Sequence, residues 1–160
     1  MLHDTRSGAV IDPTGKYRYL LWRAWGLLWP RCLFIMCNPS VADAERDDPT
    51  IRRCIGFAKK WGMHGIEVVN LFAYRATEPD KLLQVDDPVG PQNDAHLIGA
   101  TARAGLVVAA WGWHGTHRGR DGEVARLLAW SHLQCLGKTK NGHPRHPLYV
   151  RADAVLERFA

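Results

Sequence analysis

Four apolar runs punctuate the chain, and each is followed by a polar loop. Leu33-Phe34-Ile35-Met36-Cys37 runs into Asn38-Pro39-Ser40, Ile66-Glu67-Val68-Val69 into Asn70, and Leu106-Val107-Val108-Ala109-Ala110 into Trp111-Gly112-Trp113-His114. A weaker run, Leu133-Gln134-Cys135-Leu136, leads into residues 137–146. Short apolar runs bounded by turn residues read as buried strands. Helical periodicity separates them. Asp48 can cap a helix that opens at Pro49 and repeats Ile51, Cys54, Ile55, Ala58 and Trp61 before Gly62. A second helical signal runs from Gly90-Pro91 to Gly105, and a third starts near Asp121 with Val124, Leu127 and Leu128 on one face. Lys81-Leu82-Leu83 is expected to form a short turn.

Strand and helix therefore alternate, which predicts right-handed crossovers and one α/β domain spanning 1–160. The expected architecture is a three-layer sandwich, with a mostly parallel central sheet of about four strands and helices on both faces. Residues 17–25 alternate imperfectly and carry Tyr17, Tyr19, Trp22 and Trp25, predicting an N-terminal edge strand or hairpin beside that sheet. Residues 1–15 are polar, with Gly8, Pro13 and Gly15, and are expected to form an irregular arm or turn. If the strands are parallel, their loops meet at one rim, where open α/β sheets bind ligands.

A chain of 160 residues, 46% hydrophobic, is long enough for one core that buries roughly two-thirds of the unfolded surface. Its formal net charge of +5 favours an anionic partner. From Trp111 to Arg151 there are seven Lys and Arg against Asp121 and Glu123, together with His114, His117, His132, His143 and His146. Such a flank suits phosphate, and equally suits a solvated surface. Cys32, Cys37, Cys54 and Cys135 show no C-x-x-C spacing and fit a reducing cytoplasm. The apolar stretch 19–37 is broken by Arg23, Gly26, Pro30 and Arg31, so no membrane span is expected. Met1-Leu2-His3-Asp4 shows no signal-peptide pattern, and a cytoplasmic location is expected.

Candidate chemistry sits in the loops. Asn38, at a strand end, can orient a water or bond a ligand carbonyl; the plainer reading is an Asx-type turn before Pro39. Asn70 can satisfy its donor and acceptor on a nucleobase edge, or on a neighbouring backbone. Phe72 and Tyr74 can stack on a base or fill the core. Trp111 and His114 share a Gly-rich loop with Arg118, where stacking and phosphate contacts are both available. Arg52 and Arg53 lie in a helix's first turn, disfavoured by the dipole, so Asp47 and Asp48 or a ligand phosphate should offset them. In His143-Pro144-Arg145-His146-Pro147 the prolines forbid the helical face an H-x-x-H metal pair needs. Either histidine can instead stabilise an oxyanion or protonate a leaving group. No serine-nucleophile elbow, Walker-A or G-x-G-x-x-G spacing occurs, and neither cofactor nor metal is expected.

Phe34-Ile35-Met36-Cys37-Asn38-Pro39-Ser40-Val41-Ala42-Asp43, residues 47–54, Val69-Asn70-Leu71-Phe72-Ala73-Tyr74-Arg75-Ala76-Thr77 and residues 142–149 resemble the bacterial and phage family catalogued as domain of unknown function 1643. The likeness covers nearly the whole chain and implies no reaction. More distantly, the order strand-Asn-Pro, strand-Val-Asn-Leu and a terminal His-Pro loop is similar to the uracil-DNA glycosylase superfamily. That resemblance implies the glycosylase-like fold, with Asn38 positioning the attacking water and Asn70 reading the base edge. His143 or His146 would stabilise the departing base. Cys37 and Ser40 stand where that superfamily favours Gly, and no His-Pro-Ser occurs.

The resulting expectation is a nucleobase, nucleotide or nucleic acid (DNA included) bound at the rim, with Arg52, Arg75, Arg118 and Arg145 on phosphates. N-glycosidic or another nucleotide-directed hydrolysis would be the reaction. The alternatives are a non-catalytic nucleotide or nucleic-acid binder on the same scaffold, and an enzyme for another small anionic metabolite.

Overall fold

The computed structural model describes residues 5–27 and 29–160; the first four residues, and with them the reading of a leader, lie outside the described residues. Seven strands form one sheet: β1 (Arg6–Ile11), β2 (Arg18–Ala24), β3 (Cys32–Met36), β4 (Gly65–Asn70), β5 (Leu106–Ala109), β6 (Leu133–Cys135) and β7 (Glu157–Arg158). Their spatial order is β1-β2-β4-β3-β5-β6-β7. The central four, β4, β3, β5 and β6, pair in parallel as expected. The outer strands β1, β2 and β7 are antiparallel, so the sheet is parallel only in its middle.

Three helices join the parallel strands: α1 (Pro49–Lys60), α2 (Asn93–Arg103) and α3 (Arg120–Leu127). β3 is buried throughout, so its side chains feed two cores by parity. Cys32, Phe34 and Met36 join Ile51, Cys54, Phe57 and Ala58 of α1. Leu33 and Ile35 join Leu97 and Ala100 of α2 and Val124 of α3. Two helices on one face and one on the other follow from the strand order. The β3-to-β4 connection steps one way, whereas β4-to-β5 crosses back over β3, and right-handed crossovers then require opposite faces.

The ends of α1 follow local chemistry. Asp48 Oδ1 accepts the Ile51 amide at 2.9 Å, and Pro49 occupies the first turn. At the other end, Gly62 at φ +73° lets its amide reach Lys59 O and the Met63 amide reach Ala58 O. That paired closure is the Schellman arrangement, for which a left-handed residue is needed. The expected short turn at 81–83 is a 3₁₀ turn spanning Pro79–Gln84.

At the N-terminus the hairpin form of the expectation holds, with β1 and β2 antiparallel, and the arm needs correction. Residues 6–11 are not an irregular arm but β1, an edge strand paired to β2. Consequently β2 lies inside the sheet, buried at every position except the half-buried Trp22. The polar, glycine-bearing sequence Arg6-Ser7-Gly8-Ala9 hid this strand. Gly8 is required there because a Cβ would meet the Trp22 indole at 2.4 Å. β7 follows a long loop that closes against β6 and was also not expected.

Candidate functional site

The β3-to-β4 and β5-to-β6 connections leave β3 and β5 toward opposite faces, opening a gap between their C-terminal ends. A crevice of about 610 Å³ occupies this position, fed by all four parallel strands. Asn38, Asn70, Trp111, His114, Arg145 and His146 line it, brought together from loops far apart in sequence. Backbone bonds fix the loops on one another. Leu71 and Phe72 amides donate to Met36 O and Cys37 O, and the Gly112 amide donates to Pro144 O at 2.9 Å. Arg53 adds a clamp, donating from α1 to the carbonyls of Pro147 and Val150 beneath the His146 loop.

Each amide has its own environment. Asn38 Nδ2 donates to Pro39 O at 3.0 Å and Ala76 O at 2.7 Å. Two carbonyl partners define which end is nitrogen, so the acceptor Oδ1 has no protein donor among the described residues. Asn70 is 1% exposed, and neither its Oδ1 nor its Nδ2 has a partner. Trp111, 2% exposed, likewise has an unpaired Nε1–H. A buried polar group without a partner costs roughly 1–3 kcal/mol. Three such atoms belong to two residues that line the same crevice.

His146 Nδ1 accepts the Leu148 amide at 3.2 Å, which places the ring proton on Nε2 and makes that nitrogen a donor. Burial holds its pKa below the ordinary range, and the charge of Asp48 opposes that shift. His114 is also lowered, first by burial and then by His117, against Asp80. Its ring lies tilted 31° against that of Trp113, with centroids 3.8 Å apart. The Cys37 thiol lines the crevice but is pushed up to about 12 by burial, so it is no thiolate nucleophile at neutral pH. Among the described residues no three His, Cys, Asp or Glu converge as a metal-binding group.

Several expected residues fall elsewhere. Phe72 is fully buried in the core against α2 and α3, with its ring edge-on to His117, and cannot stack on a ligand. Tyr74 packs edge-to-face with Tyr17 away from the crevice. Arg118 is tied to Asp86 O and Val85 O, and Arg75 to Gly15 O. Arg52 is exposed on α1 and outside the lining. His143 sits in the turn bonded to Thr139 and is likewise outside, so His146 is the histidine of this loop that faces the crevice. Part of the basic flank from 111 to 151 is engaged within the protein. Arg120 is 1% exposed and pairs with Asp94 and Glu123, Arg151 pairs with Asp153, and Arg145 remains at the crevice. Asp47 does not offset Arg52 or Arg53; it bonds buried Arg23 at 2.8 Å.

Two lining residues, Arg18 and Asp48, were not expected at the crevice. Arg18, 3% exposed, donates Nη1 to Ala42 O at 2.9 Å and leaves Nε unpaired. Burial lowers it to about 10, against the attraction of Asp48, so it remains a cation at neutral pH. Asp48 itself lines the crevice besides capping α1. Arg18 stands in an aromatic strand and Asp48 reads as a cap, so only the tertiary arrangement brings them to the site.

Among the described residues no helix is long and apolar enough to cross a membrane. No curated protein and no solved structure matches the chain. Residues 18–148, from the buried arginine of β2 to the loop after His146, match the family described as "Protein of unknown function (DUF1643)", and the chain belongs to that family.

Proposed function

We propose that the crevice binds a nucleobase-bearing molecule, a nucleotide or a nucleotide within a strand, and hydrolyses it. The carrying observation is Asn70, a buried amide whose donor and acceptor are both unpartnered in a crevice wall. A planar heterocycle offering a donor and an acceptor side by side satisfies both at once. Trp111 Nε1 and Arg18 Nε supply further donors for ring or sugar-phosphate oxygens. Arg145 at the mouth contributes the positive charge a phosphate favours.

His146 can donate from Nε2 to oxygen that gains negative charge as a base departs. The distant likeness to uracil-DNA glycosylases supports the same reading through the strand-end order of Asn38, Asn70 and the His-Pro loop. Binding without chemistry is the second reading, favoured by the way Asn38 spends its amide nitrogen on the loop backbone.

Titration calorimetry against free bases, nucleosides, 5′-monophosphates and single-stranded oligonucleotides tests the proposal. At least one base-bearing compound should bind, and Asn70→Leu should abolish that binding while the protein stays folded. Binding by none of them, or unchanged binding by the Leu variant, would overturn it.

A further inference from the structure

We infer that Asp48, and not Asn38, is the proton acceptor that activates water in this crevice; the inference rests on the nucleobase reading above. Among the described residues lining the crevice, Asp48 is the sole carboxylate. An amide cannot take a proton at neutral pH, so Asn38 can only orient a water. His146 has its Nδ1 lone pair occupied by the Leu148 amide, which leaves it a donor. His114 also lines the crevice, its ring tilted 31° to that of Trp113. Asp48 uses Oδ1 to cap α1, which leaves Oδ2 for the crevice.

The charges around Asp48 support this assignment. Arg18 is the buried cation on one side, and its unpaired Nε can hold an oxygen of the same ligand or of the water. His146 feels the carboxylate's charge, yet no hydrogen bond or ion pair joins the two side chains. A base and a donor thus share one crevice without contact between them, as a water and a scissile bond require. Cys54, the other titratable neighbour, is fully buried on the core face of α1 and has its thiol raised by burial.

The step balances with one water. Asp48 takes a water proton as the water oxygen bonds to the anomeric carbon, and the carbon–nitrogen bond breaks. Its electron pair passes to the departing base, whose oxygen accepts the His146 Nε2–H hydrogen bond. The proton on Asp48 then returns through solvent to the base nitrogen. Free base and a sugar hydroxyl result, and nothing is oxidised or reduced.

The test uses Asp48→Asn and Asp48→Ser, because both side chains still cap a helix. Base release is measured by chromatography from nucleosides, 5′-monophosphates and single-stranded oligonucleotides bearing the common bases, uracil and hypoxanthine. Wild type should release base from a compound it binds, and both variants should lose about 100-fold or more in rate. Their melting temperatures and affinities should stay near wild type. Wild-type binding without any release, or variants within tenfold of wild type, would overturn the assignment and leave the binding proposal standing. Failure to bind any of these compounds would end both.

Discussion

Asn93 Nδ2 donates to the main-chain oxygens of Asn70 at 2.8 Å and of Leu71 at 3.0 Å, so a fully buried residue of α2 holds the strand end that carries the unpaired amide. Arg120 Nε reaches the same Leu71 oxygen at 2.8 Å. Replacing Asn93 by Ala strips Asn70 O of its side-chain donor while Leu71 O keeps Arg120. A loss of roughly 1–3 kcal/mol in urea unfolding is expected. Ligand affinity should fall as well, because the backbone beneath Asn70 loosens.

Asn70 predicts the opposite relation between stability and binding. Its amide is buried with no partner, so the folded protein already bears its desolvation cost. Leu is of similar size and removes that cost. Asn70→Leu should be neutral or more stable by about 0.5–2 kcal/mol while binding is lost. Destabilisation by more than that amount in chemical unfolding would show that the amide serves the fold.

The four parallel strands and the α1 cap were readable because their causes are local: apolar runs bounded by turns, and an Asp-Pro pair at a helix start. The same locality made Asn38, Asn70, Trp111 and His146 visible, since each follows a strand that the pattern marks. β1 and β7 were illegible because an edge strand needs apolar residues on at most one side: β1 has no buried position, and β7 is two exposed residues. Phe72 and three of the four candidate phosphate arginines, Arg52, Arg75 and Arg118, lie away from the crevice for another reason. Whether an arginine meets a ligand or a loop carbonyl depends on contacts between segments far apart, as for Arg118 with Val85 O and Asp86 O. Arg18 was hidden among aromatics of a strand and reaches the crevice only through the β2–β4 pairing.

Arg120 is buried to 1%, yet its carboxylate partners Asp94 and Glu123 are about half exposed. Those partners regain water when the arginine goes, and Leu71 O keeps Asn93. Arg120→Met fills the same channel without a charge and should cost only about 1 kcal/mol or less. Arg120→Ala leaves a cavity and should cost about 2–4 kcal/mol. Equal losses in the two variants would mean the ion pairs dominate.

All four cysteines are buried and free, and burial raises each thiol, Cys37 to about 12. The thiolate is the reactive form. Folded protein at pH 8 should react with a disulfide reagent such as DTNB at least about 100-fold more slowly than urea-unfolded protein. A fast stoichiometric phase in the folded state would place one thiol in a solvent-accessible, ionised setting.

Three half-buried histidines, His96, His114 and His146, have their pKa values lowered from the ordinary 6.5, each chiefly by burial. The unfolded chain therefore binds protons first as pH falls, and folding opposes their uptake. Stability should be full above pH 6.5, decline as pH drops from there toward the folded-state values, and level off below them. His146→Asn keeps a side-chain acceptor for the Leu148 amide while removing one of the three titrations. Its stability, measured by urea unfolding at pH 7.5 and pH 5, should fall less on acidification than that of wild type. A slope equal to wild type would show that His146 titrates alike in both states, and that the crevice does not hold it neutral.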